Sequence, residues 1–174
     1  NSIGIGSGGG VGKVTAEWLI NGHINEDIFS YDIKRFQKFH SELGFIKERI
    51  TETLGDLYGM HWPFKQHKTS RNQKLTPYHD EMKKAAACFG VTGGYERPMW
   101  YALNGQKSEY EYSYNYQNWY PAVEYETKNT RENVGLFDLT AFSKYDLKGK
   151  NVHFELQKLC TANIKNEHCK TSYT

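Results

Sequence analysis

Asn1-Ser-Ile-Gly-Ile-Gly-Ser-Gly-Gly-Gly-Val-Gly-Lys13 carries six glycines in thirteen residues and runs directly into residues 14–21. Each glycine costs backbone entropy in a helix or strand and contributes no side chain to packing, so the composition predicts a loop whose backbone something else approaches. Downstream the pattern is helical. Val11, Val14, Thr15, Trp18 and Leu19 fall at i, i+3, i+4, i+7 and i+8, and Gly22 stands where a helix would stop. A glycine loop entering a helix start leaves amide hydrogens unpaired beside a positive dipole end, which is a receptor for an anion or a carbonyl oxygen.

Two phosphate motifs fail against this stretch. Gly12-Lys13 fits a Walker loop, but Ser7 replaces its first glycine and Val14 its metal-binding hydroxyl. Gly4-x-Gly6-x-x-Gly9 spells the dinucleotide fingerprint without a strand ahead of it. A flexible glycine-rich tail is the plain alternative, and the helix behind the glycines argues against it.

The chain has 174 residues, 38% of them apolar and 24% charged, with a formal net charge of +2. These values describe one domain or two small ones with neither a nucleic-acid nor a membrane signature, so no nucleic acid and no membrane insertion are expected. No initiating Met and no leader sequence are recognisable, and processing or excision is expected to have made this N-terminus. Cys88, Cys160 and Cys169 form no Cys-x-x-Cys pair and suit free thiols in a reducing compartment. Cys160, His168 and Cys169 match no zinc module, and His79-x-Glu81 lacks the Pro-Cys-x-x-Cys of a zinc deaminase, so no metal is expected. His61, His67 and His79 are candidates only because of their residue type, surface or loop histidines being commoner than catalytic ones, and no catalytic acid or base is identified.

Further along, Asp32 can cap a short helix bearing Ile33, Phe36 and His40, and Ile46, Ile50, Leu54 and Leu57 form a second helical stripe. Residues 59–75 read as a connecting loop. Thr76-Pro77 sets an N-cap and N1 for a helix carrying Met82, Ala85, Ala86 and Phe89 and ending at Gly90. Tyr110, Tyr112, Tyr114 and Tyr116 alternate with polar residues, which predicts a strand with one aromatic face. A half-buried strand explains that face without an ammonium cage or a base-stacking platform, and base stacking is disfavoured further because Glu109, Glu111, Glu124 and Glu126 would repel a phosphate backbone. Residues 134–139 read as a buried strand or turn, 142–148 alternate like a strand, and Asn151 caps a helix through Val152, Leu156, Leu159 and Cys160. Residues 165–174 read as an interrupted strand.

Seven motifs then occur in order. They are Asn1-Ser-x-Gly4, Gly8-Gly-Gly-x-Gly-Lys13, Ala16-Glu-Trp18, Tyr31-Asp-Ile-Lys-Arg-Phe36, Gly94-Tyr-Glu-Arg-Pro98 with Trp100-Tyr101, Asn118-Trp-Tyr120, and Val134-Gly-Leu-Phe-Asp-Leu139 with Phe142-Ser-Lys144. In this series the chain resembles the dimethylglycine and sarcosine dehydrogenase family, which includes the regulatory subunit branch of pyruvate dehydrogenase phosphatase.

The resemblance implies an α+β segment in three parts. Residues 1–22 would be the last FAD-contacting loop and helix of a flavin domain, residues 23–133 its tail and a central connecting region, and residues 134–174 the opening β-α unit of a folate domain similar to T-protein. Ile3, Gly4, Ile5, Gly6, Ser7 and Gly8 would contact FAD. The implied reaction oxidises an N-methyl group of a small amino acid, passes electrons to FAD and on to electron-transfer flavoprotein, and hands the one-carbon unit to tetrahydrofolate.

Within the resemblance, the short passage between Tyr114 and Trp119 lacks the insertion of the sarcosine branch and so implies dimethylglycine, while the Tyr31–Phe36 motif implies sarcosine. The histidine to which the family attaches flavin is expected upstream of Asn1, and most of the folate site beyond Thr174. This stretch alone is accordingly expected to bind FAD weakly and not to turn over. A mitochondrial matrix location is implied, or the cytoplasm in a bacterium. The alternative is a non-catalytic scaffold similar to the phosphatase regulatory subunit.

Overall fold

The computed structural model describes residues 4–165 and 170–174. These fall into two compact units, residues 1–135 and 136–174. The first contains helix α1 (Gly4–Asn21), three short 3-10 turns (Phe29–Tyr31, Ile33–Arg35 and Lys38–Ser41), helix α2 (Leu43–Asp56), helix α3 (His79–Lys84), strands β1 (Ala87–Thr92) and β2 (Tyr95–Tyr101), and helix α4 (Tyr120–Glu132). The second contains helix α5 (Val152–Leu159).

The centre of the first unit is an antiparallel hairpin of β1 and β2, turned by Gly93 and Gly94 at φ 58° and 82°. Both residues need the left-handed region, which is why a Gly-Gly pair closes the hairpin. Gln37 reaches over this turn, donating from Nε2 to the Gly93 carbonyl at 2.6 Å and accepting from Lys74 Nζ at 3.0 Å. Pairing runs from Thr92 opposite Tyr95 to Ala87 opposite Tyr101, with the register shifting between Cys88 and Phe89. Cys88 faces Trp100 while Phe89 faces Pro98, so Met99 is the extra residue of a bulge, and the proline sits where the ladder is already interrupted.

Cys88, Trp100 and Ala122 form the core, with Ala102, Tyr110 and Trp119 packed against it. Helix α4 is tied to the hairpin where the Tyr101 amide donates to Glu126 Oε1 at 2.7 Å. Burial pushes the Cys88 thiol up to about 11, which makes it a packing atom and not a nucleophile.

Several expectations are corrected. The glycine-rich stretch is helical. Gly4, Ile5, Gly6, Ser7 and Gly8 occupy the first turns of α1, which then continues to Asn21 and is closed by Gly22 at φ 74°. The loop expectation rested on the helix penalty of glycine, about 1 kcal/mol per residue. From Gly8 onward the backbone amides of this stretch pair with carbonyls one turn back along a continuous helix, which satisfies groups that a loop would leave to other partners. Ile3 lies outside the described residues.

The helix expected from Thr76 to Gly90 starts late, at His79 with Tyr78 and not Thr76 at its N-cap, and stops early. α3 ends at Lys84, and Phe89 and Gly90 belong to β1. Ala86 makes the break at φ 63°, with its amide donating to the Lys83 carbonyl at 3.0 Å. An alanine in this conformation is strained by about 1–2 kcal/mol. Ala86→Gly is therefore expected to raise stability by about 1 kcal/mol, read as a higher urea midpoint at unchanged slope.

The aromatic segment 110–116 forms no strand, because two amide side chains take the place of a partner strand. Asn118 donates to the Glu109 carbonyl at 2.7 Å and accepts from the Glu111 amide at 3.1 Å. Gln117 accepts from the Ser113 amide at 3.1 Å and donates back to the Ser113 carbonyl. The rings still share one side. Tyr110 stacks on Tyr112 at 5.6 Å between centroids, Tyr112 on Trp62 at 6.0 Å, and Tyr114 meets Trp62 at 4.8 Å.

The buried strand or turn expected at 134–139 is irregular and not buried, with Leu136 98% exposed, and the strand expected at 142–148 is irregular as well. Asp138 turns the chain by accepting from the Thr140 amide at 2.9 Å, and Lys144 Nζ donates to the Leu139 carbonyl at 2.5 Å. These local bonds compete with a ladder. The helix expected from Asn151 is present as α5. The tail reading falls partly on residues 166–169, outside the described residues; residues 170–174 form no regular element.

Candidate functional site

Glu96 is 1% exposed, on the inward phase of β2 together with Trp100. A buried carboxylate must be paired. Its partner is Arg71, from the loop between α2 and α3. Arg71 Nε donates to Glu96 Oε1 at 2.8 Å and Nη2 to Oε2 at 2.5 Å. The guanidinium also donates to the carbonyls of Phe89 at 3.0 Å and His67 at 3.1 Å. The Asn72 amide, presented by a left-handed backbone at φ 61°, donates to Glu96 Oε1 at 2.8 Å. Burial alone would raise the Glu96 carboxyl, but the bonds from Arg71 and Asn72 outweigh it and hold it below the ordinary carboxylate range. The Arg71 guanidinium is raised by the same pairing.

This pair floors a polar cleft of about 250 Å³ lined by Arg71, Asn72, His79, Lys83, Glu96 and Ser108, together with Ala87 and Phe89. His79 is 8% exposed, packs its ring on Phe89 at 4.3 Å between centroids, and has no partner for Nδ1 among the described residues. Arg71 and Lys83 outweigh the single negative charge of Glu96, so the cleft suits an anionic group.

A second polar network pins the same loop to α2. Glu52 accepts from the Lys68 amide at 2.6 Å, from the Thr69 amide at 2.9 Å, and from the Thr69 hydroxyl. Arg49 Nη2 donates to the Thr69 carbonyl at 2.5 Å, and Ser70 bonds Glu48 Oε2 at 3.1 Å and the Phe45 carbonyl at 3.0 Å. Burial pushes Glu52 up, yet the Thr69 and Lys68 donors prevail and bring its carboxyl from an ordinary 4.5 down to about 2. A carboxyl depressed in the folded state contributes stability that is complete above its unfolded pKa and lost as pH falls through the folded one. The protein is expected to lose on the order of 3 kcal/mol between about pH 5 and pH 2 through this residue. Glu52→Gln should flatten that part of a urea-midpoint profile measured against pH.

The structure does not bring the residues named for flavin contact to this cleft. Gly4, Ile5, Gly6, Ser7 and Gly8 lie on α1, and a Cβ built on Gly4, Gly6, Gly8, Gly9, Gly10 or Gly12 meets nothing within 4 Å. Of the three histidines noted above, His79 lines the cleft, His67 lies beside Glu52 and Asp56, and His61 is exposed. Sequence reasoning missed Arg71 and Glu96. The signal was present, since a charged residue on the buried phase of an alternating strand needs an opposite charge elsewhere. His168 and Cys169, weighed as metal ligands and rejected, lie outside the described residues.

A helical segment whose loop carries one half of a buried ion pair, followed by a hairpin that carries the other half, is the architecture of two sequence regions folded into one unit. The comparisons separate the same two regions. The chain belongs to the GCVT N-terminal domain family, whose model matches residues 78–174, and residues 21–76 match the FAD dependent oxidoreductase central domain.

The chain is 41% identical over its whole length to 4-methylaminobutanoate oxidase (formaldehyde-forming) of Paenarthrobacter nicotinovorans, and covers 21% of that protein. It is 29% identical over 84% of its length to the mitochondrial pyruvate dehydrogenase phosphatase regulatory subunit of Mus musculus, covering 17% of that protein. To the mitochondrial dimethylglycine dehydrogenase of Rattus norvegicus it is 28% identical over 94% of its length, covering 19%. The chain thus spans about a fifth of the length of the curated relatives it matches. Among the described residues no helix is long and apolar enough to cross a membrane.

Proposed function

We propose that this chain is the junction segment of an FAD-dependent oxidoreductase that oxidatively demethylates a small N-methyl amino acid and passes the one-carbon unit to tetrahydrofolate. The observation that carries the reading is the order of the two family matches within one chain, flavin oxidoreductase first and GCVT second. Two of the relatives are named for an N-methyl amine that also bears a carboxylate. The substrate class is accordingly an N-methylated amino acid, with dimethylglycine, sarcosine and 4-methylaminobutanoate as its candidates.

FAD would take the hydride from the N-methyl carbon when bound, and electron-transfer flavoprotein would remove the electrons. Gly4, Ile5, Gly6, Ser7 and Gly8 would hold it, with Ile3 in the same stretch. The fit rests on the open space beside the glycines, which lets a ring system approach the backbone, and on the start of a helix, where amide hydrogens point outward along a positive dipole end. Negative charge on a reduced ring would be stabilised there. A mitochondrial matrix location, or the cytoplasm in a bacterium, belongs to the same proposal.

The test is the intact mass of the full-length protein before and after denaturation. A mass excess of one FAD that survives denaturation, followed by turnover with one of the three amines, supports the reading. A flavin-free protein would overturn it in favour of a scaffold resembling the phosphatase regulatory subunit.

A further inference from the structure

Glu52 and Asp56 stand four residues apart on one face of α2, and the loop that follows brings His67 over both. His67 Nδ1 lies 3.6 Å from Asp56 Oδ2 and 3.8 Å from Glu52 Oε1, and the three ligand atoms all fall within 4.8 Å of one another. These separations exceed the roughly 2.7–3.2 Å of a nitrogen–oxygen hydrogen bond. They approach the edge of a coordination tetrahedron, since two ligands each about 2.0–2.1 Å from a zinc ion lie about 3.4 Å apart.

The neighbouring bonds leave the inward atoms available. The Thr69 amide and hydroxyl hold Glu52 Oε2, which orients Oε1 toward His67 with a single donor, the Lys68 amide at 2.6 Å. Lys65 Nζ binds Asp56 Oδ1 at 2.6 Å, on the oxygen that faces away from the imidazole contact. The side chains of Glu52, Asp56 and His67 are 17%, 29% and 43% exposed, so an ion has a route in and a fourth position for water.

We infer that Glu52 Oε1, Asp56 Oδ2 and His67 Nδ1 form a site for a divalent transition ion of the zinc type, which would pin the loop carrying Thr69 and Arg71 to α2. One imidazole with two carboxylates is a borderline donor set that suits zinc or cobalt over calcium or magnesium. Arg49 Nε at 3.9 Å from Glu52 Oε2 and the Lys65 ammonium are the cations facing the site. Lys65 sets the affinity, because its charge repels the ion across Asp56. The site is independent of the flavin reading.

The test uses full-length protein stripped with chelator and titrated with zinc by calorimetry and with cobalt by visible absorption. The expected results are one equivalent that His67→Gln weakens by at least about 10–100-fold, the cobalt band lost with it, and tighter binding in Lys65→Met. A fold check by circular dichroism on His67→Gln separates ligand loss from unfolding, and Asp56→Asn serves as a second ligand variant. Failure of both the unaltered protein and Lys65→Met to bind either ion, or binding unchanged in His67→Gln and Asp56→Asn, would overturn the proposal.

Discussion

Glu96→Gln is expected to cost about 3–5 kcal/mol of stability, seen as a lower urea midpoint by tryptophan fluorescence. The substitution keeps the shape of the side chain, removes its charge and turns one acceptor oxygen, each of which takes a bond from Arg71 or Asn72, into an amide donor. Arg71 would then stay with its guanidinium between the Phe89 and His67 carbonyls but without the carboxylate that neutralises it. An uncompensated, largely enclosed cation is the source of the penalty, and Arg71→Met should cost a similar amount by stranding the carboxylate of a residue only 1% exposed. The double variant Glu96→Leu with Arg71→Met is expected to recover much of the loss, because both desolvation penalties disappear together. Additive losses would show that the backbone bonds of Arg71 and Asn72, and not the ion pair, hold the loop.

Trp100→Ala is the second large effect, also about 3–5 kcal/mol. Trp100 is 1% exposed and faces Cys88 across the hairpin, with Ala122 of α4 fully buried in the same cluster. Small residues on both sides mean that the indole fills the space between sheet and helix, and neither neighbour can expand into a cavity. The Tyr110 ring, edge-on at 6.1 Å, would lose its packing partner as well. Trp100→Phe should retain most of the stability because an aromatic ring remains between Cys88 and Ala122. If Trp100→Ala instead left the midpoint within about 1 kcal/mol, the core would have to lie elsewhere in the chain.

Helical stretches were legible in the sequence where apolar spacing persisted, as in α2 with Ile46, Ile50 and Leu54 and in α5 with Val152 and Leu156. The hairpin was not, because Met82, Ala85, Ala86 and Phe89 kept a helical spacing across the residue that breaks the helix. Ala86 at positive φ gives no compositional warning, while the Gly93-Gly94 pair was the available clue. The tyrosine alternation was read correctly as one-sided and wrongly as a strand, since periodicity reports which way side chains face and not what satisfies the backbone. Asn118 and Gln117 supplied that answer from further along the chain. At the candidate cleft, His79 was visible as a titratable residue, whereas Arg71 and Glu96 become informative only once the fold places them together.

The ion pair that joins the two matched regions also sets an order of events during synthesis. Arg71 precedes Glu96 by 25 residues, so a ribosome adding about 5–20 residues per second releases the cation roughly 1–5 s before its counter-charge. Gln37 Nε2 likewise waits for the Gly93 carbonyl. Through that interval the helical region has its polar latches displayed and nothing to close them on. A chain cut between residues 76 and 78, at the seam suggested by sequence families, would keep that half-finished state permanently. The seam in the sequence is therefore no seam for folding, and expression boundaries drawn there should yield two insoluble pieces where one longer piece folds.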